Sequence, residues 1–339
     1  MGRAAKRYHT GLNIAVLGFG FMGATHAAAI AKVPGAKLAA LVTLNPSRRA
    51  RGNLDTGAET LDLSNTRILP SPEGLYEDPS IDVIDICLPT PMHASAALAA
   101  LKHGKHVLVE KPMALAEHDL DAILEAARSS GRVFMAAHVL RFHPAYDPLR
   151  AFAASGELGR LRALTLHRAC AAPTWSEWFA DPSQTGGAAV DLLIHDFDIA
   201  LSLLGPPASI RARGYADAGH GIDVLDAGLL YPGGVICSVS GGWRGRIAYP
   251  FRAGYTAVFD RGVLELAGDV TLYRGAKAEK LAVPDENAYA TEIAYFLDCC
   301  RTGTRPERCM PEDSARAVRL AMLARASRNQ GGQELVCQI

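Results

Sequence analysis

The stretch Leu12 to Gly23, L-N-I-A-V-L-G-F-G-F-M-G, constrains the fold more than any other part of the chain. Asn13 to Leu17 is a short apolar run of the kind a buried strand needs. It breaks into Gly18-Phe19-Gly20-Phe21-Met22-Gly23, and the Ala-rich run from Ala24 to Ala31 has helical character. A strand, a G-x-G-x-x-G turn and a helix in that order have a physical logic. The first glycine permits a tight turn, the second lets backbone approach a pyrophosphate, and the third lets the helix pack close on the strand. The pyrophosphate then meets a helix N-terminus, where free N–H groups and the helix dipole favour negative charge. The glycines alone are a weak signal. Between a strand and a helix they predict a dinucleotide site made by Gly18, Gly20, Phe21, Met22 and Gly23.

The next 120 or so residues repeat the strand–helix rhythm. Lys37 to Thr43 is a second apolar strand, and Pro46 followed by Ser47-Arg48-Arg49-Ala50 opens a helix with proline in its first turn. Residues 54–66 are polar and irregular, a loop. Ile81 to Leu88 is a strand, Met92 to His103 a helix, Lys105 to Glu110 a strand, Ala116 to Ser130 an amphipathic helix, and Arg132 to Ala137 a strand. This alternation predicts a doubly wound parallel sheet over residues 1–137. From 138 to 339 the pattern changes. A helix at about 144–154 leads to a strand at 161–169, a loop at 171–187 and a helix at about 188–204. Alternating strands follow near 208–216, 224–231, 234–242, 253–260 and 262–267, with hairpin turns at Pro232-Gly233 and Asp260-Arg261-Gly262. Helices near 288–301 and 311–327 close the chain, the latter a candidate to pack back on the first domain. The prediction is α/β: a parallel-sheet domain, then an α+β domain with an open, mostly antiparallel sheet.

Charge and composition set limits on partners. The 339 residues carry 35 basic and 35 acidic side chains, so net charge points to neither nucleic acid nor a membrane surface. No acid precedes Asp55, however, while Arg3, Lys6, Arg7, Lys32, Lys37, Arg48, Arg49 and Arg51 do; this is either a solvated basic surface or a place for a phosphate-rich ligand. The seven cysteines form no C-x-x-C and no metal-ligand spacing, which suits reduced residues in the cytoplasm. No run of about 18 apolar residues exists to span a bilayer. The apolar stretch near the start is interrupted by Gly18, Gly20, Gly23 and His26, which argues against a secretory leader.

Three segments fall where a doubly wound sheet puts ligands, at the carboxyl ends of its strands. They are the glycine turn, Leu88-Pro89-Thr90-Pro91-Met92-His93, and Val109-Glu110-Lys111-Pro112. Lys111, just past a buried strand and before a proline, is either a rigidly held cation or an ordinary loop lysine. In the second domain Asp191 and His195 stand i and i+4 on the expected helix, so they share a face. A carboxylate beside an imidazole raises its pKa and orients it, as a general base requires. The same residues also suit a structural ion pair or, with Asp198, a metal.

Taken together, the glycine turn, Pro89-Thr90 with His93, Glu110-Lys111-Pro112, and Gly186-Gly187 ahead of Asp191-x-x-x-His195-Asp196 closely resemble the Gfo/Idh/MocA oxidoreductases, the glucose–fructose oxidoreductase and inositol dehydrogenase group. The resemblance covers essentially the whole chain. It implies a Rossmann domain followed by a domain whose large open sheet makes a homodimer or homotetramer; no further His or Cys cluster supports a metal, and none is expected. It assigns catalysis to Lys111, Asp191 and His195, with Pro89, Thr90, His93, Glu110 and Lys111 beside the cofactor, and a cis Lys111–Pro112 bond. Substrate contacts would come from Arg141, Trp178, Asp191 and His195, with Trp175 a further stacking candidate. The substrate class implied is a polyol, an inositol-like cyclitol or a sugar, the His195-Asp196-x-Asp198 run resembling the inositol branch.

One departure concerns the cofactor. NAD-binding Rossmann domains usually place an acid about 20 residues after the glycines, to hold the ribose hydroxyls. Here the second strand ends at Thr43, followed by Leu44-Asn45-Pro46-Ser47-Arg48. Without a carboxylate a 2′-phosphate meets no repulsion, and Thr43, Asn45 and Arg48 can bind it, so NADP is favoured over NAD. Two rival functions remain open from sequence: a non-catalytic NAD(P)-binding regulator, which would be free to lose Lys111, Asp191 or His195, and a redox-assisted sugar lyase or glycosidase.

Overall fold

A computed structural model describes residues 11–45, 61–174 and 177–339. The chain divides into two units, Met1–Ala137 with Tyr289–Pro311, and His138–Ala288 with Glu312–Ile339. The first break falls between Ala137 and His138, where the strand–helix rhythm ends in the sequence.

The first unit is built on β1 (Leu12–Leu17), β2 (Ala36–Val42), β3 (Arg67–Leu69), β4 (Val83–Ile86), β5 (His106–Glu110) and β6 (Phe134–Ala137). They form one parallel sheet in the order β3-β2-β1-β4-β5-β6. The connecting helices include α1 (Phe21–Ile30), α2 (His93–Lys102) and α3 (Glu117–Ser130). Sheets of this kind are covered on both faces, which is why their strands read as continuous apolar runs. Ile14, Val16, Leu17, Ile84, Ile86, Val107 and Val109 are indeed all buried, each contributing about 1.5–3 kcal/mol of apolar burial. The strand order reverses between β1 and β4, and that is where such sheets bind ligands. The helix expected from Pro46 lies outside the described residues.

The second unit opens with α4 (Asp147–Ser155) and β7 (Leu161–Cys170). Three helical pieces follow: α5 (Pro182–Thr185), α6 (Ala188–Asp191) and α7 (Ile194–Leu204). The other strands are β8 (Ser209–Asp217), β9 (Ile222–Leu230), β10 (Ile236–Arg244), β11 (Arg252–Phe259), β12 (Gly262–Ala267), β13 (Asp269–Arg274), β14 (Lys277–Lys280) and β15 (Leu335–Val336). With β7 they make a nine-stranded sheet ordered β14-β13-β12-β11-β7-β10-β9-β8-β15, antiparallel except where β10 meets β7. In β9, Asp223, Leu225, Ala227 and Leu229 are buried while alternate residues are more exposed, the pattern of a sheet with one covered face. The helices α6 and α7 pack over β7, β9 and β10.

The helix at 311–327 is α9 (Pro311–Asn329), which belongs to the second unit but for its first residue, while α8 (Ala288–Thr302) belongs to the first unit but for its first residue. One expectation needs correcting. The helix expected over 188–204 is two helices, interrupted at Leu192-Leu193. Among the described residues no helix is long and apolar enough to cross a membrane.

Candidate active site

At the end of β1 the three glycines do three different things. Gly18 has φ of +94°, and a Cβ there would stand 2.5 Å from the carbonyl oxygen of Cys87. A Cβ on Gly23 would be 1.9 Å from the carbonyl oxygen of Gly18, so α1 packs on the turn at a distance only glycine allows. Gly20 caps α1, and a Cβ built on it would meet nothing within 4 Å. The space is therefore left open at the one glycine whose backbone should face a pyrophosphate, at the head of a helix with no acid in its first turn. The residues present fit a dinucleotide. Thr43 follows β2, its Oγ1 accepting the N–H of Asn45 at 3.2 Å, and no carboxylate occurs between Leu41 and Asn45. Arg48 lies outside the described residues.

The ends of β4 and β5 are tied together by His93. Its Nδ1 is 2.8 Å from the carbonyl oxygen of Pro112 and its Nε2 2.7 Å from that of Leu88. Carbonyls only accept, so the ring holds both loops fully only when both nitrogens carry protons. Burial works against that charge and pulls the His93 pKa below its usual value, with the two carbonyls pulling upward. Pro89 precedes a 3₁₀ turn that begins at the buried Thr90. Beyond β5, Glu110 is buried and its Oε2 accepts the backbone N–H of Lys111 at 2.9 Å. Burial tends to raise the Glu110 pKa, but His26 outweighs it and holds the carboxyl below its ordinary range. Lys111 is half-buried, and its bond to Pro112 is cis.

In the second unit, α6 and α7 carry Asp191 and His195. Gly187 leads into α6 with φ of +73°. The Ala188 N–H donates to Oδ2 of Asp223 on β9 at 2.8 Å, and the same carboxylate pairs with Arg328 of α9. A Cβ on Gly187 would stand 2.3 Å from that Oδ2, which accounts for the glycine. At the interruption, Leu193 N–H reaches back five residues to Ala188 O at 2.9 Å, beside Leu192 N–H on the same oxygen at 3.0 Å. The backbone of Leu192 and Leu193 stays in the helical region, with the extra residue taken up as a bulge. Asp191 and His195 thus belong to different helices, so a spacing of four on one regular helix does not describe them. Both are half-buried, while Val190, Ile194 and Asp196 around them are buried.

The remaining acids of this segment are committed inside the unit. Asp196 accepts from Arg168 Nε at 2.7 Å, and Asp198 takes a two-pronged contact from Arg141 at 2.7 and 2.8 Å. Burial opposes charge on Asp198, yet Arg141 and His138 hold its pKa below the usual carboxylate range. Arg141, expected at the substrate, is buried and also pairs with Asp313 at 3.2 Å. Its guanidinium serves an internal ion-pair network. Asp198 is likewise an ion-pair partner, which removes the Asp191–His195–Asp198 metal reading. Trp178 is half-buried and stacks on Phe179 at 4.2 Å, which meets the edge of Trp243. Trp175 lies outside the described residues.

Several buried, paired polar groups escaped the sequence reading: His26, Asp85, Arg168, Asp223 and Arg328. For His26 and Asp85 a signal existed, since a histidine in an alanine-rich helix and a carboxylate inside an apolar strand must find partners. The others are distant in sequence from what they hold.

Comparison with known proteins agrees with this arrangement. Residues 12–138 match the oxidoreductase family with an NAD-binding Rossmann fold, and residues 146–265 match the GFO/IDH/MocA C-terminal domain. The chain is 28% identical over 327 residues to UDP-N-acetylglucosamine 3-dehydrogenase of Acidithiobacillus ferrooxidans, covering 92% of this chain and 96% of that one. It is 27% identical over 321 residues to scyllo-inositol 2-dehydrogenase (NAD(+)) of Bacillus subtilis, covering 86% and 87%. Among solved structures, a levoglucosan dehydrogenase in complex with NADH and levoglucosan superposes with a TM-score of 0.81 at 19% identity, covering 97% of this chain and all of that one.

Proposed function

The chain belongs to the Gfo/Idh/MocA oxidoreductases, NAD(P)-dependent dehydrogenases acting on CH–OH groups of sugars and cyclitols, and from that premise we propose that it oxidises a ring or polyol carbinol through Lys111, Asp191 and His195. The observation that carries the reading is the turn at Gly20, open where a pyrophosphate needs room and closed at Gly18 and Gly23. Gly18, Gly20, Phe21, Met22 and Gly23 would hold the pyrophosphate, with Pro89, Thr90, His93 and Glu110 flanking the nicotinamide half. The bound nicotinamide supplies the acceptor for the hydride. His195 takes the hydroxyl proton as general base, worth roughly 10²–10⁴-fold. The Lys111 ammonium stabilises the developing alkoxide as a fixed cation. Asp191 orients His195 and favours its protonated form as the proton arrives. Trp178 offers an aromatic face to a sugar ring.

The missing acid after β2 supports NADP as the preferred cofactor, with NAD the alternative. Tyr215, Leu230 and Ile236 stand exposed on strands of the open sheet, which supports a homodimer or homotetramer through that face. The seven free thiols support a cytoplasmic location. The test is a panel of cyclitols, sugars and anhydrosugars with NADP and NAD, followed by the absorbance of the reduced nicotinamide. Turnover that Lys111→Ala or His195→Ala leaves at full rate would overturn the assignment.

A further inference from the structure

Beneath the glycine turn lies a buried charged group with no part in the chemistry above. His26, on α1 three residues past Gly23, has none of its surface exposed. Its Nδ1 is 3.0 Å from both carboxylate oxygens of Asp85 in β4, with Cys87 Sγ 3.4 Å from the same nitrogen. On the other side Nε2 is 3.1 Å from Oε1 of Glu110, an ion-pair contact set off the line of a hydrogen bond. The Tyr289 ring of α8 lies 6.5 Å away. A carboxylate can only accept, so a ring with one at each nitrogen requires both N–H groups, which is the imidazolium. Burial alone would strip its proton, but Asp85 and then Cys87 outweigh burial and hold the pKa well above the ordinary value.

Glu110 connects this cation to the proposed chemistry. One of its oxygens faces His26 and the other accepts the backbone N–H of Lys111 at 2.9 Å. Just beyond, His93 grips the carbonyl of Pro112. Lys111 therefore leaves β5 between two anchored neighbours, and the first anchor is only as fixed as the Glu110 carboxylate. We propose that His26 is a positioning residue for Lys111: the imidazolium shared by Asp85 and Glu110 keeps the Glu110 carboxylate ionised and in place beneath the Lys111 backbone, and so directs the lysine side chain. This rests on the reading of Lys111 as the cation that meets the alkoxide. Without the imidazolium, Asp85 and Glu110 face each other as two buried negative charges, and one must take a proton or move.

The test uses the full chain. In protein labelled with ¹⁵N-histidine and free of cofactor, both His26 ring nitrogens should resonate as protonated at pH 8. Lys111 should react with trinitrobenzenesulfonate, read by mass spectrometry, at a rate changed at least about threefold in His26→Gln, which keeps a donor but no charge. With substrate, His26→Leu should lower kcat by roughly 10- to 100-fold, while KM and the NAD(P)H Kd stay within about threefold. Adding Glu110→Gln to His26→Leu should recover about tenfold of that loss, because it removes the stranded carboxylate and still offers an oxygen to the Lys111 N–H. A packing role for His26 predicts no such rescue, since Glu110→Gln restores no volume at position 26. A neutral His26 at pH 8, unchanged Lys111 labelling in His26→Gln, or a double variant no better than His26→Leu would overturn the proposal. If the wild type turns over no substrate while the resonance and labelling results hold, the dehydrogenase reading fails and the positioning of Lys111 by His26 stands.

Discussion

Replacing Gly20 and Gly23 with alanine, one at a time, should separate cofactor recognition from folding at positions three residues apart. At Gly20 φ is −76°, which alanine adopts freely, and the added Cβ meets nothing within 4 Å. The stability cost is that of a poorer helix cap, about 0.5–1 kcal/mol, or roughly 1–4 °C in the melting temperature of a unit of this size. The methyl nevertheless fills space that a pyrophosphate must enter. Forcing a methyl into a close contact costs roughly 1–3 kcal/mol, which at about 1.4 kcal/mol per decade is ~5- to 150-fold in Kd. At Gly23 the same methyl would stand 1.9 Å from the Gly18 carbonyl oxygen, and both partners are backbone. Helix or turn must move, for a loss of roughly 3 kcal/mol or more and a melting temperature lower by ~6–12 °C. The assays are fluorescence titration with NADPH and NADH, and thermal melting without cofactor. A wild-type Kd in Gly20→Ala, or Gly23→Ala melting with the wild type, would refute the division of labour among the glycines.

Three further outcomes follow from the same geometry. Gly187→Ala should cost about 1–2 kcal/mol for its left-handed φ of +73° and push the Asp223 carboxylate off the Ala188 N–H; kcat should fall more than KM rises, and an unchanged kcat would show that α6 needs no such support. Thr43→Asp places a carboxylate where a 2′-phosphate would sit, so kcat/KM for NADP should drop at least about tenfold relative to NAD, and an unaltered ratio would move the specificity site elsewhere. His106 accepts the N–H of Val133 at 3.0 Å, and burial pushes its pKa down to about 4. Its folded pKa is below the unfolded value of about 6.5, so its contribution is complete above that value and lost as pH falls towards 4. The loss amounts to about 3 kcal/mol at ~1.36 kcal/mol per pKa unit. An NMR titration of His106 centred above pH 6 would contradict this.

How much of this was legible in the sequence depended on whether the signal was local. The strand, glycine turn and helix from Leu12 onward read correctly because each glycine answers to neighbours within a few residues or to the adjacent strand. The strands β8 to β12 were legible because apolar residues alternate with polar ones, though not the place of β7 between β10 and β11, which breaks the expected meander. β14 was not, since Lys277-Ala278-Glu279-Lys280 is wholly exposed with no apolar face, and it is held to β13 by the backbone ladder and the Lys280–Asp269 pair. Leu192-Leu193 reads as uninterrupted apolar helix, and nothing in two leucines marks the bulge between Asp191 and His195. Arg141 carried a charge whose partner, Asp198, lies 57 residues away, and a sequence motif cannot tell an arginine that meets a ligand from one spent on such a pair.

The segment from Gly187 to Asp198 shows why those pairs matter to function. A helix interrupted by a bulge has surrendered regular hydrogen bonds at the point where two proposed catalytic side chains emerge, and its own backbone is a poor guarantee of their geometry. Three ion pairs compensate from three directions: Asp223 with Arg328 at the head of α6, Asp196 with Arg168 from β7, and Asp198 with Arg141. Buried pairs of this kind add little net stability over apolar replacements, but losing one partner costs roughly 3–5 kcal/mol. They are therefore better understood as fixing one arrangement than as deepening the energy well. The acids that follow His195, Asp196 and Asp198, are wholly enclosed and tie the segment to its neighbours, while Asp191 and His195 stay half-buried.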